Sequence, residues 1–453
     1  MGVSMPKNIV IGGGIAGFHV LEDVLKRAPE QAKNFMLITK EKLGWPSTCG
    51  IPFGLAGEYD LKQLEIRPPS YYREKGFDVK TETEVTSINI EDSTVSIGEE
   101  RIGYDKLIIA TGRKPFLPPI KGIALEGVYT LSTLTDAFKV EKAMKDAKEA
   151  VIIGAGVVGL ETAAAFSSKG IKTTVVRSRA GSLPSVLPLN IDPDMAAIVQ
   201  KRLEDRGVQV MASAAVSSIN GKEKVESVTA GGREIPADLV VVATGIRPEV
   251  ELARKAGIEI GETGGIKTDS ALHVKKGKTY LSNVYALGDC VEVISGVTYR
   301  PVLSALGSTA SLQSRVIVDN LLGGKSIVPF YLSPFVTSIA GLQVGSVGAT
   351  FHTATNIIGI EPIIGKSTKL TRARYYPGAK QVTVKLLFDC ERLIGAQVIS
   401  EETVAERINL LTIAIMKELT AKELWLMERC FNPAVSLMTD AIVDAAMDAL
   451  NKM

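Results

Sequence analysis

Cys49 stands in the segment Ser47-Thr48-Cys49-Gly50-Ile51-Pro52-Phe53-Gly54. A thiolate is the form of cysteine that attacks a disulfide, and its pKa falls at a helix N-terminus or beside positive charge. Pro52 suits the first turn of a helix that begins just after Cys49, which would set the sulfur at the positive end of that helix's dipole. The competing reading of Cys49 is a small buried apolar residue; the neighbouring Thr48, Gly50 and Pro52 favour the reactive one. The other cysteines are Cys290, Cys390 and Cys430, with no C-x-x-C pair and three histidines in the whole chain. That composition argues against a structural zinc site and, in a reducing compartment, against a structural disulfide; no metal is expected.

Two glycine-rich turns offer a second chemistry. Gly12-Gly13-Gly14-Ile15-Ala16-Gly17 follows the apolar strand Asn8-Ile9-Val10-Ile11, and Gly154-Ala155-Gly156-Val157-Val158-Gly159 follows Ala150-Val151-Ile152-Ile153. Each is G-x-G-x-x-G between a strand and a helix, the setting in which that spacing binds a dinucleotide. The first glycine makes the tight turn, the second lets backbone approach a pyrophosphate, and the third lets helix and strand pack closely. Free N–H groups at the helix start then face the phosphates. One such turn is weak evidence, because glycine-rich turns also recur for steric reasons; two in context are strong.

The elements that must position these groups repeat as well. Leu107-Ile108-Ile109-Ala110-Thr111-Gly112-Arg113-Lys114-Pro115 echoes Leu239-Val240-Val241-Val242-Ala243-Thr244-Gly245-Ile246-Arg247-Pro248. Both are apolar strands ending in Ala-Thr-Gly, then a basic residue and a strand-stopping proline, and they read as crossings between two nucleotide-binding domains. Asp192 is placed to cap a helix that has Pro193 first and ends before Gly207. The helix after Gly159 ends near Gly170. Strands and helices alternate to about residue 320; beyond it Gln381–Phe388 alternates as an antiparallel strand does, and helical stretches follow from Glu401. The fold expected is therefore α/β, two Rossmann-like dinucleotide-binding domains with a separate C-terminal α+β domain.

The 453 residues are too many for one hydrophobic core. Fifty-two basic against 50 acidic residues give a net charge of +2 with no basic block, so nucleic acid is not an expected partner. No apolar run reaches the length of a membrane span, and the N-terminus enters a strand at once with no signal-peptide pattern. A cytoplasmic protein with no membrane partner is expected.

Together the two fingerprints, the two Ala-Thr-Gly segments and Tyr285-Ala286-Leu287-Gly288-Asp289-Cys290 resemble the pyridine nucleotide–disulfide oxidoreductases over essentially the whole chain. The resemblance implies that residues 1–115 and 246–328 bind FAD, residues 116–245 bind NAD(P)H and residues 329–453 form a homodimer. On the FAD side it implies Gly12, Gly14, Ile15, Ala16 and Gly17, with Ser47, Thr48 and Val85, then Ala110, Thr111, Gly112 and Arg113. Gly288 follows, and Asp289 is expected against the ribityl–phosphate region. Thr39 takes the place of the usual ribose acid, and Glu41 is the candidate for that role. On the nicotinamide side it implies Gly154, Gly156, Val157, Val158, Gly159 and Gly245. Glu161 is expected near nicotinamide and flavin, a role compatible with a helix-start acid favoured by the dipole.

Within the family, the two-cysteine branch carries C-x-x-x-x-C and a C-terminal histidine base. Here Gly54 occupies the second cysteine's place and no histidine follows His352. Cys49-Gly50-Ile51-Pro52, Tyr375-Tyr376-Pro377-Gly378 and Phe431-Asn432-Pro433-Ala434-Val435-Ser436 with Asp440 are instead similar to coenzyme A disulfide reductases and persulfide reductases. This implies electrons passing from NAD(P)H through FAD to Cys49, whose thiolate then attacks a small disulfide or persulfide. Single-cysteine NADH oxidases and peroxidases are similar too, but carry histidine where Ile15 stands, and isoleucine cannot move a proton. A reductase for a protein partner such as rubredoxin, with Cys49 incidental, is a further alternative.

Several departures carry expectations of their own. Arg177 and Arg179 stand where NAD-preferring relatives place an acid, which favours a 2′-phosphate and hence NADPH over NADH. Phe431 replaces the tyrosine usual in coenzyme A disulfide reductases. Cys430 beside it reads as a buried helix-end residue, or more sharply as a second thiol reaching Cys49 of the other subunit. Tyr375 and Tyr376 border the partner's active site or pack the dimer core. Lys26, Arg27, Lys62 and Arg67 are available for coenzyme phosphates, whereas Glu22 on the same helix opposes them. Cys290 and Cys390 are expected to be structural.

Overall fold

The computed structural model describes residues 8–177 and 185–453. Three sheets organise it. The first has six strands, in the order His273–Lys276, Thr279–Ala286, Lys106–Ile109, Asn8–Ile11, Phe35–Ile38, Asp78–Lys80. Its inner strands are parallel, with Ile9 level with both Met36 and Leu107, and are continuously apolar because both faces are covered, one by helices and the other by the antiparallel strands Ser87–Asn89, Thr94–Ile97 and Glu100–Gly103. The helix Ile15–Arg27 buries Phe18, Val20, Leu21 and Val24 against one face.

A second sheet of seven strands repeats the plan around Glu149–Ile153, which lies parallel between Lys172–Arg177 and Leu239–Val242. Its helix, Val157–Ser168, ends before Gly170, which adopts φ +80°. The two sheets are joined by an antiparallel ribbon in which Arg113–Pro115 pairs with Ile246–Pro248. The Ala-Thr-Gly echo makes this ribbon symmetric: the Thr111 hydroxyl donates to the Glu249 carbonyl and the Thr244 hydroxyl to the Phe116 carbonyl, each at 2.5 Å.

The third sheet is antiparallel, in the order Phe335–Ile339, Leu342–Gly348, Arg392–Ser400, Gln381–Asp389, Ile363–Leu370. The helices Val404–Met416 and Ala441–Leu450 pack on it through Ile408, Leu411, Ile442 and Ala446.

Asp192 does precede a helix, Pro193–Asp205, but its carboxylate caps nothing there. It crosses instead to the third sheet, accepting from the Phe351 amide at 2.8 Å and pairing with the buried Lys385 ammonium at 2.9 Å. Lys385 also reaches Asp194 at 2.7 Å. Asp192 and the ammonium thus desolvate together, with the exposed Asp194 beside them, and pairing is the condition under which a buried charge is tolerated. Among the described residues, no helix is long and apolar enough to cross a membrane.

Candidate active site

Gly12 has φ +118°, and a Cβ there would lie 2.1 Å from the Ala110 carbonyl oxygen, so only glycine makes this turn. Gly14 differs: its backbone is extended, and a Cβ would meet nothing within 4 Å. The space beside it belongs to a cavity of about 750 Å³, and no side chain caps the helix that starts at Ile15. The second fingerprint copies both features, with Gly154 at φ +127° and open space at Gly156. A cradle that any side chain would fill, beside unsatisfied helix-start amides, fits a pyrophosphate. The first cradle's cavity runs from Gly14 past Glu41 to Cys49 and the Arg113–Asp289 pair, so the residues present fit FAD.

That cavity gathers most of the residues expected on the FAD side. Gly12, Gly14, Ile15, Ala16, Glu41, Thr48, Val85, Ala110, Thr111, Gly112, Arg113, Gly288 and Asp289 line it, and so does Cys49. Gly17 and Ser47 do not. Gly17 is packed under Gly12, and the Ser47 amide donates to the Leu64 carbonyl at 2.7 Å, tying down the strand before the cysteine. Arg113 and Asp289 face one another across the wall at 3.2 Å. Burial pushes the Asp289 carboxyl up and Arg113 draws it back. Gly288 turns with φ +81° and its amide donates to the buried Gln313 at 2.7 Å. Glu41 follows the buried Thr39, whose hydroxyl accepts from the Glu41 amide at 3.1 Å. Sequence reading missed one wall, the start of the helix Leu134–Met144, although its capping box of Thr133 and Asp136 is legible as T-x-x-D.

Cys49 sits in a single turn, Thr48–Gly50, followed by the five-residue helix Ile51–Leu55 with Pro52 in its first turn. Cys49 is exposed and lines the cavity. The expected fall in thiol pKa is not what this site produces. Burial raises it, Arg113 opposes that, and Glu161 and Asp289 raise it further. A five-residue helix has too few aligned peptides to offset desolvation and two acids.

Glu161 is the fifth residue of its helix, beyond the first turn where the dipole acts, so the helix-start explanation does not hold. Its carboxylate accepts from the hydroxyl of the buried Thr337, on the first strand of the third sheet. Burial pushes its pKa up to about 7, against the Thr337 bond. Helix Ile51–Leu55 packs on this same helix, which is how the cysteine and the second fingerprint come together. Val157, Val158, Gly159 and Gly245 lie on the second sheet's rim outside the large cavity. The Arg177 side chain and all of Arg179 lie outside the described residues.

The C-terminal candidates form a separate surface. Tyr375, Tyr376, Cys430 and Phe431 are exposed, Tyr375 at 80%. Their two segments are tied by the Ala373 amide donating to the Pro433 carbonyl at 3.2 Å. Cys430 is therefore not a buried helix-end residue: it lies in the irregular stretch between Ala421–Leu426 and Ala441–Leu450. Cys290 is fully buried and its thiol donates to the Leu287 carbonyl, whereas Cys390 is exposed at a hairpin tip with φ +49°. Among the basic residues considered for a coenzyme, Arg27 is paired with Asp319 at 2.7 Å and Arg67 stacks on Tyr71 near Glu22.

Residues 6–307 match the pyridine nucleotide-disulphide oxidoreductase family and residues 336–441 match its dimerisation domain. The chain belongs to this family and is a flavin- and NAD(P)H-dependent oxidoreductase, with Rossmann-like nucleotide-binding folds followed by a dimerisation domain. It is 38% identical to an NADH oxidase of Methanocaldococcus jannaschii over 98% of this chain and 99% of that protein. It is 32% identical to a CoA-dependent NAD(P)H sulfur oxidoreductase of Pyrococcus abyssi, over 96% of each. The solved structure of an NAD-dependent persulfide reductase from A. fulgidus superposes with a TM-score of 0.92 at 34% identity, covering 98% of this chain and 83% of that one.

Proposed function

We propose that the protein is a homodimeric NAD(P)H-dependent reductase of a low-molecular-weight disulfide, persulfide or polysulfide, coenzyme A disulfide among them, with Cys49 as its redox cysteine. One observation carries this: Cys49 opens into the cavity framed by the first fingerprint and the Arg113–Asp289 pair. The sulfur relatives from Pyrococcus and A. fulgidus support the substrate class.

When bound, FAD supplies a two-electron relay between nicotinamide and sulfur. Gly14 and the amides that start the Ile15–Arg27 helix would hold its pyrophosphate, Glu41 its ribose and Asp289 its ribityl side. Gly156 and its helix do the same for the nicotinamide dinucleotide, and Arg177 with Arg179 selects NADPH. Cys49, as thiolate, attacks one sulfur of the substrate; a Cys49–substrate disulfide forms and the other half leaves as a thiolate that takes a proton. Two electrons from NAD(P)H and a proton then split that disulfide, releasing the second thiol and restoring Cys49. Glu161, with a pKa of about 7, holds or yields a proton near neutral pH within the field of the thiol.

We place the FAD domain at 1–115 and 246–328, the nicotinamide domain at 116–245 and the dimerisation domain at 329–453. In the dimer, Tyr375, Tyr376, Cys430 and Phe431 of one copy border the other copy's cysteine. The protein is assigned to the cytoplasm.

A second reading, NADH oxidase, is favoured by the Methanocaldococcus relative; Ile15, with no proton to exchange, weighs against it. The two separate when thiol or sulfide release from coenzyme A disulfide, other small disulfides and polysulfide is measured beside oxygen uptake. Sulfur turnover at least about tenfold faster than oxygen uptake is expected. Oxygen uptake with no thiol release would establish the oxidase.

A further inference from the structure

Tyr59 appears in none of the motifs above, yet it touches the turn that presents the nucleophile. Its hydroxyl donates to the Gly50 carbonyl at 2.7 Å, one residue beyond Cys49. A Cβ at Gly50 would lie 2.6 Å from that hydroxyl, and one at Gly54 would lie 3.4 Å from the ring's Cε2. The phenol therefore spans from the residue after Cys49 to the position at which two-cysteine relatives carry their second thiol. The backbone carries it there. The Glu58 amide donates to Phe53 at 3.1 Å and the Gly57 amide to Gly54 at 2.8 Å, so the chain folds back under its own helix. Burial raises the phenol's pKa, and Glu58 and Glu161 raise it further, so the hydroxyl keeps its proton and stays a donor.

Besides the Ile51 amide, which donates to the Thr48 carbonyl, three bonds fix the Cys49 turn. The Ser47 amide donates to Leu64, the Gly50 amide to the Ser47 carbonyl at 3.0 Å, and the Tyr59 hydroxyl to the Gly50 carbonyl. The first two fix the entry and pitch of the turn. The third is the one made by a side chain, and it reaches the Gly50–Ile51 peptide, one beyond the peptide that leaves the cysteine. Gly50 lacks a Cβ, and a glycine samples more backbone conformations than any other residue, so this added hold narrows what the turn can do.

We propose that Tyr59 is a positioning residue for Cys49: by holding the Gly50 carbonyl it sets the direction of the thiol in the cavity. The inference rests on Cys49 being the redox cysteine. Nucleophilic attack demands an aligned sulfur, and small misplacements cost large factors in rate.

The test is Tyr59→Phe, which keeps the ring packing and deletes only the donor. In the flavin-loaded enzyme the two half-reactions are followed separately by stopped flow without oxygen. Bleaching by NADPH is expected at the wild-type rate, and return of colour on adding a small disulfide is expected about tenfold slower, with KM for NADPH unchanged. A wild-type rate of colour return overturns the inference. So does equal slowing of both half-reactions with a lower melting temperature, which makes Tyr59 a stabiliser of the fold alone. Cys49→Ser, run in parallel, separates the levels: full disulfide cleavage by that variant overturns the role of Cys49 itself, whereas its inactivity beside an unaffected Tyr59→Phe overturns only the role of Tyr59.

Discussion

Glu161 shows what a single buried acid does at this site. Its folded pKa of about 7 lies above the ordinary 4.5, so the folded protein holds this proton more tightly than the unfolded chain does. Stability from this group is full below about pH 4.5 and is lost as pH rises through about 7. Glu161→Gln removes the titration. We expect the variant to melt about 2–4 °C above wild type near pH 8 and level with it near pH 4, read by thermal unfolding at both values. A constant difference at both would contradict this origin. Cys49 was legible as a candidate nucleophile because its neighbours are local in sequence. The direction of its pKa was not, since it is set by burial and by Arg113, Glu161 and Asp289, which arrive from three distant segments. Thr337 carries no sequence signal for the same reason, whereas Tyr59 is near in sequence but belongs to no motif.

The two fingerprints act as elements whose glycines do different work, and the difference can be measured. Gly12→Ala forces a Cβ to within 2.1 Å of the Ala110 oxygen at φ +118°, so a loss of about 2 kcal/mol or more in unfolding free energy is expected. Gly14→Ala meets no protein atom and has an ordinary backbone. It should fold within about 0.5 kcal/mol of wild type while binding FAD about tenfold more weakly, because the methyl enters the phosphate cradle. Equal loss of stability in both variants would refute this division. These turns were readable because their rule is local and steric. The Pro193–Asp205 helix was readable too, but the part played by Asp192 was misread, since its carboxylate leaves the local cap for Phe351 and Lys385 on another sheet.

At the scale of the whole molecule, the three-part plan was visible as a change of texture, from parallel strand–helix alternation to antiparallel hairpins near residue 330. What holds the parts together was not. The threonine-clasped ribbon joins the first two sheets. The Asp192–Lys385–Asp194 cluster and the Glu161–Thr337 bond fasten the second sheet's helices to the third. Both fastenings pair residues far apart in sequence, where no periodicity points from one to the other. The last also ties the acid nearest the second fingerprint to the first strand of the third sheet. In the proposed function the electrons end at one sulfur atom, and its removal is the most direct test. Cys49→Ser, reduced by NADPH under anaerobic conditions and then mixed with coenzyme A disulfide or polysulfide, is predicted to bleach normally and to stay bleached, with no thiol or sulfide released. A variant that regains its colour and releases thiol at the wild-type rate would contradict the account.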